Sequence, residues 1–238
     1  MHWVGTIGSM RALVIVPEPG SEPVLVGDRL RQNGFELTEV LLSTEQGDTG
    51  AALAEPDEFD LVVTMGSTRS VYEASSSGWI ADTVDHLRGA DAGDVPVLGI
   101  CFGAQALASA LGGSVVRAER PQVGWYPLEA GAGSGLPPGP WMQWHYDRID
   151  PPHDATVLAH DDLCVQAYTV RRSLGVQFHP EVTRAHLAGW IELGGADELA
   201  RLGIDADALL AESAAIEPEV TARTNRLVDW FLEDVAKL

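Results

Sequence analysis

The sequence is short of cysteine, of positive charge and of long apolar runs, and each shortage removes a class of protein. Two cysteines in 238 residues are too few for a disulfide framework. Apolar packing must therefore make the core, and a reducing, cytoplasmic setting is expected. Lys and Arg number 15 against 35 Asp and Glu, a formal net charge of -20. A field of that sign repels phosphate backbones, so nucleic acid is not expected as a partner. It favours solubility and a protein partner with a basic docking face. No apolar run approaches the roughly 20 residues that span a bilayer, so no membrane is expected either. The first ten residues, MHWVGTIGSM, lack the basic start and long apolar stretch of a signal peptide. Residues 1–9 read as an extension and residues 10–238 as a single domain. No G-x-x-x-x-G-K-[ST] phosphate loop occurs, and nothing in the chain asks for a cofactor or a metal.

What the chain does have is a rhythm. RALVIV (11–16), FELTEVL (35–41), DLVVTM (60–65) and PVLGI (96–100) are short apolar runs that predict strands. Residues 24–33, 79–89 and 103–111 predict helices between and after them, the last closed by Gly112-Gly113. This alternation predicts an α/β fold with a flavodoxin-like, mostly parallel sheet covered by helices. From residue 113 the character changes. GSVVRA, GWYPLEA, ATVLAH, CVQAYTV and SLGVQFH are closely spaced and predict a small additional β section, with residues 131–140 as a surface loop. Helices return at 182–193, 196–202, 205–214 and 218–236. The last places Val220, Leu227, Trp230, Phe231 and Val235 at helical spacing, facing the sheet.

One cysteine has an unusual setting. Gly99-Ile100-Cys101-Phe102-Gly103 is a G-x-C-x-G run at a strand-to-helix junction, the cysteine version of a nucleophile elbow. Glycines there let the backbone turn sharply and approach its neighbours. The helix N-terminus behind the sulfur favours a thiolate, and the Phe102 N–H can serve an oxyanion. The plainer alternative is a buried structural cysteine. A nucleophile needs a base. His179 closes an apolar run and is followed by Pro180-Glu181, so a carboxylate can turn back to orient the imidazole; a chance acidic neighbour is the alternative. His145, in WMQWHYDRID, is the rival base and reads as lining a pocket or supporting one. His2, His86, His153, His160 and His186 read as surface or loop residues.

Taken together, LGICFGAQALA, VGWYPL, WHYDRID and QFHPE, in the order in which they occur, resemble the class I (triad) glutamine amidotransferases, in particular stand-alone domains similar to the amidotransferase part of GMP synthetase. The resemblance spans roughly residues 11–190. It implies that Cys101 attacks the side-chain amide of L-glutamine, that His179 moves the proton and that Glu181 orients His179. A thioester forms and water releases glutamate, with ammonia passing to a separate synthetase subunit. Phe102 and the loop starting at Gly66 would hold the oxyanion, and Gln105, His145, Tyr146 and Asp147 would serve substrate binding. Family members usually carry G-G-P-x-S-V-Y in that loop. This chain has Gly66-Ser67-Thr68-Arg69-Ser70-Val71-Tyr72, which predicts a loop that takes its working shape when a partner binds. Two other functions fit the same residues: a γ-glutamyl hydrolase or transferase acting on a γ-glutamyl amide or peptide, and a non-catalytic binding or regulatory module.

Overall fold

The structure, a computed structural model, describes residues 9–74 and 77–238. Of the expected N-terminal extension only Ser9 falls within them; residues 1–8, with His2, lie outside the described residues. In chain order the main elements are β1 (Met10–Val16), α1 (Val24–Gln32), β2 (Phe35–Leu41), the hairpin of β3 (Ser43–Thr44) and β4 (Gly47–Asp48), β5 (Leu61–Thr64), α2 (Gly78–Ala92), β6 (Val97–Ile100), α3 (Phe102–Ala110), β7 (Ser114–Tyr126), β8 (Trp141–Asp150), β9 (Thr156–His160), β10 (Val165–Val170), β11 (Ser173–Val176), α4 (Arg184–Trp190), α5 (Ala196–Leu202) and α6 (Ala206–Trp230).

A run such as Ala12–Val16 has no polar face, so it must be covered on both sides. Ala12, Val14 and Val16 face one layer, and Leu13 and Ile15 face the other, all buried. The strand accordingly lies inside a seven-stranded sheet of order β2-β1-β5-β6-β11-β10-β9. The first five strands are mutually parallel, in the flavodoxin arrangement; β10 and β9 complete the sheet antiparallel. One face is covered by α1 and α6 through Val26, Leu30, Leu227 and Val228. The other is covered by α2 and α3 through Ile80, Leu87 and Leu107. Helix α3 ends as its two glycines predict: Gly112 has φ +91° and the Gly113 N–H donates to the Ala108 carbonyl at 2.8 Å. No helix among the described residues is long and apolar enough to cross a membrane.

Several details differ from the sequence reading. The expected small additional β section is present as the antiparallel pair β7-β8, but not all the runs after residue 113 belong to it. ATVLAH, CVQAYTV and SLGVQFH supply β9, β10 and β11 of the central sheet. Ser114–Ala118 of GSVVRA and Gly124–Tyr126 of GWYPLEA belong to one irregular strand, β7, with a register shift between Arg117 and Gln122, and it pairs with β8, which the hydrophobic pattern did not reveal. Helices predicted at 205–214 and 218–236 form one helix through Pro218. Proline removes a single N–H there, and burial of Val220, Thr224, Leu227 and Val228 outweighs that loss. The loop at 131–140 is irregular as expected, yet Leu136 from it is 4% exposed and joins the core. His186 is no surface residue: its Nε2 lies 2.8 Å from the Gly20 carbonyl oxygen and its ring packs on Trp190.

Candidate active site

The parallel strands β1, β5, β6 and β11 bring their C-terminal ends to one edge, where ligands of this architecture bind. Cys101 stands there, between the end of β6 and the start of α3, with φ 51° and ψ -106°. That conformation is costly for a residue with a side chain and persists only where its surroundings enforce it. The two glycines do so by allowing contact. A Cβ on Gly103 would lie 2.0 Å from the Thr64 carbonyl oxygen, and one on Gly99 would lie 2.6 Å from the Gly103 carbonyl oxygen. The Cys101 N–H donates to the Val176 carbonyl at 2.8 Å, which ties the elbow to β11. The sulfur sits at the positive end of α3 and accepts a hydrogen bond from Gln177 Nε2 at 3.6 Å. Gln177 Oε1 in turn accepts from Gln105 Nε2 at 3.2 Å.

The turn after β11 carries the imidazole, and three elements fix its backbone. The His179 N–H donates to the Met142 carbonyl at 2.8 Å; the Pro180 carbonyl accepts from Thr224 Oγ1 at 2.6 Å; the Glu181 carbonyl accepts from the Leu25 N–H at 3.3 Å. His179 Nδ1 is 2.7 Å from Glu181 Oε1, and Trp190 packs against the ring edge-on with centroids 4.8 Å apart. Nε2 is buried with no hydrogen-bond partner among the described residues. Burial by itself disfavours an imidazolium, but the charges of Glu181 and Cys101 and the hydrogen bond to Glu181 outweigh it and raise the His179 pKa to about 10. Gly66 closes the arrangement: a Cβ there would lie 3.0 Å from His179 Cε1 and 3.7 Å from Cys101 Cβ.

The structure therefore gathers Cys101, His179, Glu181, Gly66, Phe102 and Gln105 at one place. The side chains of His145 and Tyr146 have their polar atoms engaged elsewhere, and Asp147 is engaged by the far end of the loop that starts at Gly66. His145 Nδ1 lies 2.8 Å from the Asp147 carbonyl oxygen and Nε2 3.0 Å from Gln122 Oε1. Burial pushes the His145 pKa down to about 4. Tyr146 donates its hydroxyl proton to Glu198, and Asp147 accepts from the hydroxyls of Ser70 and Tyr72. Sequence reasoning missed Gln177 and Trp190. Gln177 was within reach, because it stands two residues before His179 at a strand end and residues so spaced share a face. Trp190 gave no signal, because it reaches His179 from a separate helix. The second thiol, Cys164, is buried and raised to about 12 by that burial and by Asp161, so it holds its proton at neutral pH.

A model of the family described as glutamine amidotransferase class-I matches residues 25–188. Among curated proteins, the GMP synthase [glutamine-hydrolyzing] of Edwardsiella ictaluri (strain 93-146) is 36% identical over 110 residues, 39% of this chain and 21% of that one. The corresponding protein of Yersinia pestis (strain Pestoides F) is 37% identical over 107 residues, 37% of this chain and 20% of that one. The matched part of the chain spans about one fifth of those relatives' length. Among solved structures, a glutamine amidotransferase from Thermotoga maritima superposes with a TM-score of 0.83 at 26% identity, covering 95% of this chain and 99% of that one. A glutamine amido transferase from Methylobacillus flagellatus gives 0.82 at 20% identity with 95% of each chain covered, a likeness of fold.

Proposed function

Because the chain belongs to the class I glutamine amidotransferase family, we propose that it hydrolyses the side-chain amide of glutamine through a thioester on Cys101 and that a separate acceptor enzyme uses the ammonia. The observation that carries the reading is the elbow cysteine beside an imidazole held by Glu181 at 2.7 Å. His179, its pKa raised to about 10, takes the proton of the Cys101 thiol and leaves sulfur as the nucleophile. Sulfur attacks the carboxamide carbon, and the C=O electron pair moves to oxygen. The oxyanion meets the Phe102 N–H at the start of α3 and the backbone of the loop at Gly66. When the tetrahedral species collapses, the C–N bond breaks and His179 Nε2 gives its proton to the departing ammonia. Water then attacks the thioester carbon, returning a proton to His179, and the C–S bond breaks to release glutamate.

The test is release of glutamate from glutamine by the purified chain, with Cys101→Ala as the control. Wild type should release glutamate and the variant none above a small residual rate. An electrophilic ketone analogue of glutamine should label Cys101 and spare Cys164. Undiminished turnover in Cys101→Ala, or labelling at Cys164, would overturn the assignment. Cleavage of a larger γ-glutamyl amide with no action on glutamine would move the chain to the γ-glutamyl hydrolases.

A further inference from the structure

The loop that faces the sulfur and the imidazole, Gly66 to Tyr72, is held at both ends by carboxylates from elsewhere in the chain. Near its start, Glu18, in the segment after β1, takes three of its donors. Glu18 Oε1 accepts from the Thr68 N–H and from Ser67 Oγ at 3.2 Å, and Oε2 accepts from Thr68 Oγ1 at 3.2 Å. At the far end, Asp147 of β8, 4% exposed, accepts from Ser70 Oγ on one oxygen and from Tyr72 Oη at 3.0 Å on the other. The segment that carries Glu18 is pinned in its turn. The Gly20 carbonyl accepts from Trp190 Nε1 at 2.5 Å, with His186 Nε2 2.8 Å away, and Trp190 is the ring against His179. A closed path of contacts thus runs from the base, through Trp190, Gly20 and Glu18, to the loop beside Gly66.

We propose that Glu18 and Asp147 are positioning residues that clamp this loop, so that the second oxyanion donor is held in place by the chain itself. The proposal rests on the reading of Cys101, His179 and Glu181 given above. It accounts for two departures from the family pattern. A glycine and a proline in place of Ser67 and Thr68 would offer Glu18 neither hydroxyl and no N–H at the second position. This chain has both hydroxyls and the N–H, and an acid that accepts all three. The clamp thus gives the loop a source of order within the chain, an alternative to the expectation that a partner supplies it.

The experiment compares wild type, Glu18→Ala, Glu18→Gln and Asp147→Asn by three readouts. Amide hydrogen exchange over residues 66–70 reads the loop without reference to activity. Glutamate release gives kcat and KM. Alkylation of Cys101 by iodoacetamide, a displacement at saturated carbon that forms no oxyanion, reads the thiolate alone. For Glu18→Ala the clamp predicts faster exchange at 66–70 and a kcat lower by roughly ten- to a hundredfold, less than the roughly hundred- to thousandfold loss from removing an oxyanion donor outright. KM and the alkylation rate should stay within about twofold of wild type, since a donor used only in the transition state moves kcat. Glu18→Gln keeps a carbonyl acceptor and should fall between. Unchanged exchange at 66–70 in Glu18→Ala overturns the clamp, as does a parallel fall in kcat and alkylation, which would mean loss of the thiolate rather than of the loop. If wild type releases no glutamate, the functional reading fails by itself, and exchange still decides the clamp.

Discussion

Placing one methyl group at Gly66 tests the site more sharply than deleting a catalytic side chain. Gly66 has no positive φ, so alanine meets no backbone penalty. Its Cβ would lie 3.0 Å from His179 Cε1 and 3.7 Å from Cys101 Cβ, against both the imidazole and the cysteine. Carbon atoms in contact sit about 3.5–4.0 Å apart, so something must move by roughly half an ångström. The imidazole has little freedom to do so. Glu181 holds its Nδ1 at 2.7 Å, Trp190 backs the ring at 4.8 Å, and its backbone N–H is bonded to Met142. The loop on the other side is held by Glu18. Displacing a reacting group by up to an ångström costs as much as about a hundredfold in rate, while a single overpacked methyl costs about 1–3 kcal/mol of stability. Gly66→Ala is therefore expected to fold, to melt a few degrees lower, and to lose kcat by roughly ten- to a hundredfold in glutamate release. Gly103→Ala is the contrasting control. Its Cβ would meet the Thr64 carbonyl oxygen at 2.0 Å, backbone against backbone, and should abolish the folded protein. A folded Gly66→Ala enzyme with wild-type kcat would refute the reasoning, since the loop could not then lie against the reacting pair.

Two further outcomes follow from the charges around the site. Glu181→Gln removes a charge that holds the proton on His179; the alkaline limb of the pH–rate profile should shift to lower pH, and kcat should fall by roughly a hundredfold less than in His179→Ala. His145 gives an acid-side test of stability. Its folded pKa of about 4 lies below the ordinary histidine value of 6.5 because burial disfavours the cation, so the unfolded chain binds the extra proton first as pH falls. Its contribution is intact above about pH 6.5 and is lost on the way down to about pH 4, by about 3 kcal/mol in all. His145→Gln should flatten that part of the pH dependence of denaturant-derived stability; an unchanged slope would show that His145 titrates normally.

The parallel half of the fold was legible because its signals are local. Strands buried on both faces read as unbroken apolar runs, and the end of α3 is written in two adjacent glycines. The elbow was legible for the same reason, since Gly99, Cys101 and Gly103 are neighbours in sequence and His179 and Glu181 share one turn. Strand β8 was not. It alternates as a strand should, but from Gln143 onward its buried positions include Gln143, His145 and Asp147 beside Ile149. A pattern based on hydrophobicity cannot see an alternation whose inner face is polar. The break predicted at Pro218 failed for the opposite reason: a local rule was overruled by the tertiary burial of the residues after it.

The loop at Gly66 shows where such reading stops. Measured against the family pattern, Ser67 and Thr68 look like losses, one a stiffening of a flexible site and the other the removal of a rigid residue. Neither residue carries its own explanation. The acceptor for both is Glu18, about 50 residues earlier in the chain, and the far end of the loop is fixed by Asp147, more than 70 residues later. The sequence places these three segments far apart, and only the strand order β1-β5-β6 sets the ends of β1 and β5 side by side. Residues that break a motif can thus find their partner across a sheet in a single acid whose own surroundings in sequence, Pro17 and Pro19, give it no role. The two departures and the acid form one unit, which is why replacing Glu18 alone should loosen a loop whose own residues are untouched.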